Sequence, residues 1–235
     1  MFRAVIWDFG GVLTTSPFEE FNRYEAANGI PKDFIRRVNA TNPDSNAWAQ
    51  LESNEISSET FDRAFLSETS ALGHPIPGAA VLPLLSGALR PRMVEALKVC
   101  RETHNLKVAC ITNNVRTVQG DGMAAGRERA REVEAVMALF DLVVESSVEG
   151  IRKPNPEIYR RACERLGIAP RDAIYLDDLG INCKPARALG MHTIKVVEEG
   201  QALADLAAAL GAPSLREGLI KSAKLRGHQA CAGKE

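Results

Sequence analysis

Short apolar runs, each ending on or leading straight to polar side chains, constrain this 235-residue chain more than any other feature. Residues 4–7 are apolar and lead to Asp8; residues 107–111 lead to Thr112-Asn113-Asn114. Residues 142–144 precede a basic loop carrying Lys153, and residues 173–176 lead to Asp177-Asp178. A further run covers 193–197, and helix-like stretches separate the later runs. Apolar runs this short, joined by helices, predict parallel strands in a doubly wound α/β sheet. The carboxyl ends of such strands share one edge, and that edge is where these sheets bind ligands.

Between the first run and the second the strand pattern fades. Helical segments are read at 18–27, closed by Asn28-Gly29, and at 31–38, with proline in the first turn. Others fall at 48–52, from Ser57 or Ser58 as a capping residue, and at 93–100. The expected organisation is a core formed by residues 1–15 and 98–212, a small helical insert over 16–97, and a charged, frayed tail over 213–235. Beyond the second strand we expect a glycine-containing loop at 120–126. Helices follow at 128–139, at 157–166 stopped by Gly167, at 182–189 closed by Gly190, and at 201–210.

Charge excludes some functions. With 29 basic against 30 acidic residues there is no basic excess to attract nucleic acid or an anionic membrane surface. No apolar run approaches the roughly 18–20 residues of a membrane span. The five cysteines are odd in number and form no C-x-x-C pair, which argues against a disulfide framework and a zinc site. His74, His104, His192 and His228 are scattered, and His192 reads as structural. A cytoplasmic location is expected, and the oligomeric state stays open.

The polar groups at the strand ends suit phosphoryl chemistry. Neighbouring carboxylates repel, and a divalent cation offsets that cost. Mg²⁺ prefers oxygen ligands and keeps several waters, so one or two carboxylates and a backbone carbonyl suffice. Asp8 and Asp178 are the leading ligands, with the Gly10 carbonyl between them and Asp177 beside them. Asp8 is also a candidate nucleophile forming an aspartyl-phosphate. Thr112 offers a hydroxyl, and Asn113 an amide, to phosphoryl oxygens; Lys153 offers fixed positive charge to the same group and to Asp8. Asn182 and Lys184 are candidates for the rim. Trp48 is assigned to the core of the insert.

The ordered set Asp8, Thr112, Lys153 and Asp177-Asp178 resembles the four motifs of the haloacid dehalogenase-like hydrolase superfamily over roughly residues 3–200. The stretches 6–13, 144–154 and 175–182 resemble the phosphatase-like domains fused to soluble epoxide hydrolase and, more closely, to some acyl-CoA dehydrogenases. The resemblance implies a Rossmann-like core with the helical insert as a cap, Mg²⁺ as cofactor and a small phosphorylated substrate. It also implies a departure. Phosphatases of this superfamily usually carry Asp-x-Asp in the first motif, the second Asp protonating the leaving group; Gly10 stands there in this chain. Glu19, Glu20 and Glu52 of the insert are read as solvated helix carboxylates and, alternatively, as proton donors.

Three readings follow. The first is a Mg²⁺-dependent phosphohydrolase. The second is a low-turnover module that binds metal and phosphate. The third is a 2-haloacid dehalogenase, against which the Asp177-Asp178 pair argues.

Overall fold

The computed structural model describes residues 1–115 and 127–212; the expected glycine-containing loop and the tail lie outside the described residues. β1 (Ala4–Trp7) is followed by an insert of α1 (Pro17–Ala27), α2 (Phe34–Ala40), α3 (Ala47–Glu52), α4 (Ser58–Ala71) and α5 (Gly78–Val81). The chain then alternates: α6 (Pro91–Glu102), β2 (Lys107–Thr112), α7 (Arg127–Met137), β3 (Leu142–Glu145), α8 (Ser146–Glu149) and α9 (Pro156–Leu166). β4 (Ala173–Asp177), α10 (Gly180–Ala188), β5 (His192–Lys195) and α11 (Glu199–Leu210) complete it. The five strands are all parallel, in the order β3-β2-β1-β4-β5. The α/β expectation therefore holds.

The sheet is covered on both faces, and β1 shows why its residues are almost all apolar. Successive side chains on a strand point to opposite faces. Val5 and Trp7 join a cluster with Met93, Ala96 and Leu97 of α6 and Leu203 and Leu206 of α11. Ala4 and Ile6 join another, with Ile158, Tyr159 and Ala162 of α9 and Ala186 of α10. Each large aliphatic side chain buried this way contributes about 1.5–3 kcal/mol. α9 is well delimited: the Asn155 side chain accepts from Glu157 N at 3.0 Å, and Gly167 ends it at φ +64°.

The insert has its own core, where Trp48 packs edge-on against Phe21 and Phe61 with ring centroids 6.2 and 5.3 Å apart. That matches the reading of Trp48 as a core residue. Ser57 caps α4 by accepting from Thr60 N at 3.2 Å. α2 begins at Phe34 and not at Pro31. Asp33 is left-handed at φ +60°, and the buried Glu25 carboxylate accepts from Asp33 N and Ile35 N at 2.7 and 2.8 Å. Met93, Ala96 and Leu97, assigned from sequence to the insert, pack on the sheet, because α6 turns its apolar stripe to β1 and β2.

The insert leaves and rejoins the core at one place. Thr15 N donates to Ala88 O, and Arg90 N donates to Leu13 O, both at 2.8 Å, around a bridge between Thr14 and Leu89. Among the described residues no helix is long and apolar enough to cross a membrane.

Candidate active site

Register puts the acids together. Trp7 lies opposite Leu176, so Asp8 and Asp177 follow at one level on adjacent strands, and Asp8 N donates to Leu176 O at 2.8 Å. Thr112 closes β2 on the other side of β1 and is almost completely buried. No hydrogen bond of its hydroxyl to another described residue is found.

Lys153 reaches this edge from the loop ahead of α9. It is 1% exposed, and Nζ lies 2.7 Å from Asp8 Oδ1 and 2.8 Å from Asp177 Oδ2. Burial works against its charge, but Asp177 and then Asp8 outweigh it and hold the ammonium above the ordinary lysine range. Asp8 Oδ1 also accepts from Phe9 N at 2.7 Å. Burial pushes the Asp8 carboxyl well above the usual carboxylate range; Lys153 pulls it down, and Asp177 and Asp178 push it up again.

The two adjacent acids of the fourth motif have different tasks. Asp177 is fully buried, and its oxygens accept from Lys153 Nζ, Tyr175 Oη, Leu179 N and Asn182 Nδ2. The sequence reading counted Asp177 among metal ligands; the structure fills both its oxygens with protein donors, which makes it the anchor of Lys153. Burial, then Asp177, raise the Tyr175 phenol well above its ordinary value, so it stays protonated and able to donate. From other described residues Asp178 accepts one hydrogen bond, a long one from Ser16 Oγ at 3.5 Å. Burial first and Asp177 second push its carboxyl up to about 6, against the pull of Lys153.

The glycines differ as well. Gly11 is left-handed at φ +74°, and a Cβ there would come 2.2 Å from Asp178 Oδ2, so only glycine lets that carboxylate approach. A Cβ on Gly10 would meet nothing within 4 Å. The place expected for a proton donor is open.

Oxygens of Asp8, Asp177 and Asp178 lie within 4.8 Å of one another. Three carboxylates face one ammonium, and the least satisfied of them, Asp178, lies over a glycine that makes room for it. This all-oxygen set fits a hard divalent cation.

Other sequence candidates are placed as follows. Asn113 was offered to phosphoryl oxygens, yet its side chain is engaged: Oδ1 accepts from Lys153 N at 2.9 Å, and Nδ2 donates to Lys153 O at 3.1 Å and Glu52 Oε2 at 3.2 Å. Glu52 was offered as a proton donor, but it accepts from Trp48 Nε1 at 2.9 Å and Arg152 Nε at 2.7 Å. Glu20 is paired with Arg23, and Glu19 is exposed. Asn182 lies under Asp177, and Lys184 is exposed on α10. Tyr175 and Arg152 escaped notice: one read as a strand residue, the other as part of a solvated basic loop.

The haloacid dehalogenase-like hydrolase family matches residues 2–190. Acyl-CoA dehydrogenase family member 10 of Mus musculus is 35% identical over 90% of this chain, which spans only 19% of that protein. The sesquiterpene phosphatase astK of Aspergillus oryzae is 27% identical over 81% of this chain and 87% of its own. A solved family enzyme from Bacteroides thetaiotaomicron, in complex with magnesium and inorganic phosphate, superposes with a TM-score of 0.53. It covers 85% of this chain and 97% of its own at 19% identity, a likeness of fold. The family match spans β1 to β4 and every candidate residue at their ends, and on that ground the chain belongs to the haloacid dehalogenase-like hydrolases.

Proposed function

We propose that the chain is a Mg²⁺-dependent phosphohydrolase acting on a small phosphorylated metabolite through Asp8. The observation that carries this reading is the ammonium of Lys153 bridging Asp8 and Asp177, with Asp178 left unsatisfied beside them. The donors on Asp8 lie on Oδ1, which leaves Oδ2 to attack phosphorus. The bond from phosphorus to the leaving oxygen breaks, and phosphate is held on Asp8 until water displaces it. Thr112 donates its hydroxyl to a phosphoryl oxygen, and Lys153 balances the charge that develops there. Asp8, Asp178 and the Gly10 carbonyl would hold Mg²⁺, which supplies charge neutralisation and Lewis acidity when bound.

Gly10 narrows the substrate. General acid assistance is worth roughly 10²–10⁴ in rate, and no group in the first motif provides it. Leaving groups that need little protonation, such as acyl and anomeric phosphates, are favoured over alkyl phosphates.

The test is phosphate release from acetyl phosphate, glucose 1-phosphate and p-nitrophenyl phosphate, with Mg²⁺ and with chelator. Turnover that needs Mg²⁺ and is fastest with acetyl phosphate is expected. The open space at Gly10 favours one second reading, a module that binds Mg²⁺ and phosphate with little turnover. Phosphate binding by calorimetry, with no release from any of the three substrates, would establish that reading instead. Chloride release from 2-chloropropionate without Mg²⁺ would point to the dehalogenase chemistry.

A further inference from the structure

We propose that Glu52 is a positioning residue that couples docking of the helical insert to the placement of Lys153. The coupling itself is read from hydrogen bonds alone; only its kinetic consequence rests on the function proposed above.

Glu52 ends α3, a helix of the insert whose end meets the core at Ser146. Its Oε1 accepts from Trp48 Nε1 at 2.9 Å, within the insert. Its Oε2 accepts from two groups of the core, Arg152 Nε at 2.7 Å and Asn113 Nδ2 at 3.2 Å. The Glu52 backbone joins in, its carbonyl accepting from Ser146 Oγ at 2.7 Å. Arg152 makes a second tie to the insert, donating from Nη1 to Pro43 O at 2.8 Å.

The core partners of Glu52 are the ones that hold Lys153. Arg152 precedes it in the chain. Asn113 clasps its peptide from both sides, accepting from Lys153 N at 2.9 Å and donating to Lys153 O at 3.1 Å. The far end of Lys153 then meets Asp8 at 2.7 Å. A continuous set of bonds therefore runs from Trp48 through Glu52, Asn113 and Arg152 to Lys153 and the nucleophile.

Lifting the insert takes away the acceptor shared by Arg152 and Asn113. The Glu52 and Arg152 side chains are only 11% and 22% exposed while the insert is docked, so these bonds are sheltered from water there. Once the insert lifts, water takes the place of Glu52, and the segment 152–153 loses the fixed acceptor that tied it in one position. Lys153 is thus held hard against Asp8 only while the insert is docked. With its oxygens committed in this way, Glu52 holds the site together and does not donate a proton to a leaving group.

The experiment uses the full chain with Trp7→Phe, which leaves Trp48 as the one tryptophan. Glu52→Gln and Arg152→Met are compared with the parent and with Glu55→Gln, an exposed neighbour. Acrylamide quenching reports docking, and acetic anhydride labelling read by mass spectrometry reports Lys153, with the exposed Lys184 as internal reference. In both test variants, quenching of Trp48 rises and Lys153 labels about tenfold faster relative to Lys184, a coupling of ordinary size. Glu55→Gln labels as the parent does. In phosphate release kcat falls by about the same factor and KM changes little, because the lysine acts on the transferring group.

Arg152→Met leaves Glu52 bonded to Trp48 and Asn113, so it carries the test if Glu52→Gln does not fold. Raised quenching with Lys153 labelling at the parental rate overturns the proposal, as does no change in either signal. Faster labelling in a chain whose parent releases no phosphate upholds the coupling and overturns the function proposed above.

Discussion

The lysine side and the glycine side of this site are built on opposite lines. On the lysine side, Asp177, Tyr175, Asn182, Asn113 and Lys153 satisfy one another in a buried network. On the glycine side, Asp178 has one long contact, Gly10 faces open space and the Thr112 hydroxyl has no partner among the described residues. A buried polar group is costly without partners. The first region finds its partners within the protein, and the second takes them from bound metal and phosphate in the function proposed above. Mutations on the two sides should therefore fail in different ways.

The largest effect belongs to Asp8, which serves both sides. Asp8→Asn lowers phosphate release by about 10⁴-fold or more, measured under single-turnover conditions. Activity equal to that of the parent would show that phosphate never passes through Asp8.

Next comes the contrast between neighbours. Asp177→Ala removes the anchor of a buried cation and costs about 3–5 kcal/mol in urea unfolding. Asp178→Asn does not lower the metal-free stability near pH 7, where the ionised carboxylate is disfavoured in the folded state, and it removes the stabilisation by Mg²⁺, which is about 2.7 kcal/mol at a hundredfold excess over Kd in the parent. Equal losses in the two variants would erase the distinction drawn between them.

Gly10→Asp sharpens the open side. A Cβ fits there, so the variant folds and hydrolyses alkyl phosphates faster, by up to about 10²-fold, seen as a rise in kcat, with little gain on p-nitrophenyl phosphate. An unchanged kcat on alkyl phosphates would mean that the gap left at Gly10 is not what limits turnover.

The pH response tests the same charge balance. In the metal-free protein Asp178 is pushed up to about 6 from an ordinary 3.8, and Asp8 is raised as well. The folded state thus binds more protons than the unfolded one between those limits, and stability rises as pH falls from 7 towards 5. Saturating Mg²⁺ removes that rise. Thermal unfolding at several pH values, with and without metal, checks both trends.

The smallest effect separates the glycines. Gly11→Ala costs more than about 1 kcal/mol, from its left-handed backbone and the clash with Asp178, while Gly10→Ala stays within about 0.5 kcal/mol. Chemical denaturation of the pair measures the difference.

The acids of the site and the sheet were legible in the sequence because apolar runs end where the chain must turn to water. The same logic placed Lys153, since a basic loop after a strand lies on the ligand edge. The division of labour between Asp177 and Asp178 was not legible. It depends on Tyr175, an apolar-looking strand position two residues back on the same face, and on Asn182, which read as a candidate for the rim. The engagement of Glu52 with Arg152 and of Asn113 with Lys153 was not legible for a related reason. Their partners lie 100 and 40 positions away, and no local pattern announces contacts at that range. The start of α2 was missed because a buried Glu25 carboxylate, not the proline, sets it.

The paired crossings at Thr14 and Leu89 have a consequence for how such a chain can vary. The insert departs and returns at points one hydrogen-bonded pair apart, and Gly87 packs so close to Thr15 O that a Cβ would come within 2.4 Å of it. The intervening chain is in effect a cassette hung from a single hinge pin. Its length and sequence can be exchanged without moving either end, while the strands that hold the acids keep their register. A tight turn joining Thr15 to Ala88 would leave the path of the sheet intact, so exchange of the insert is constrained less by the sheet than by its ties to Arg152, Asn113 and Ser146.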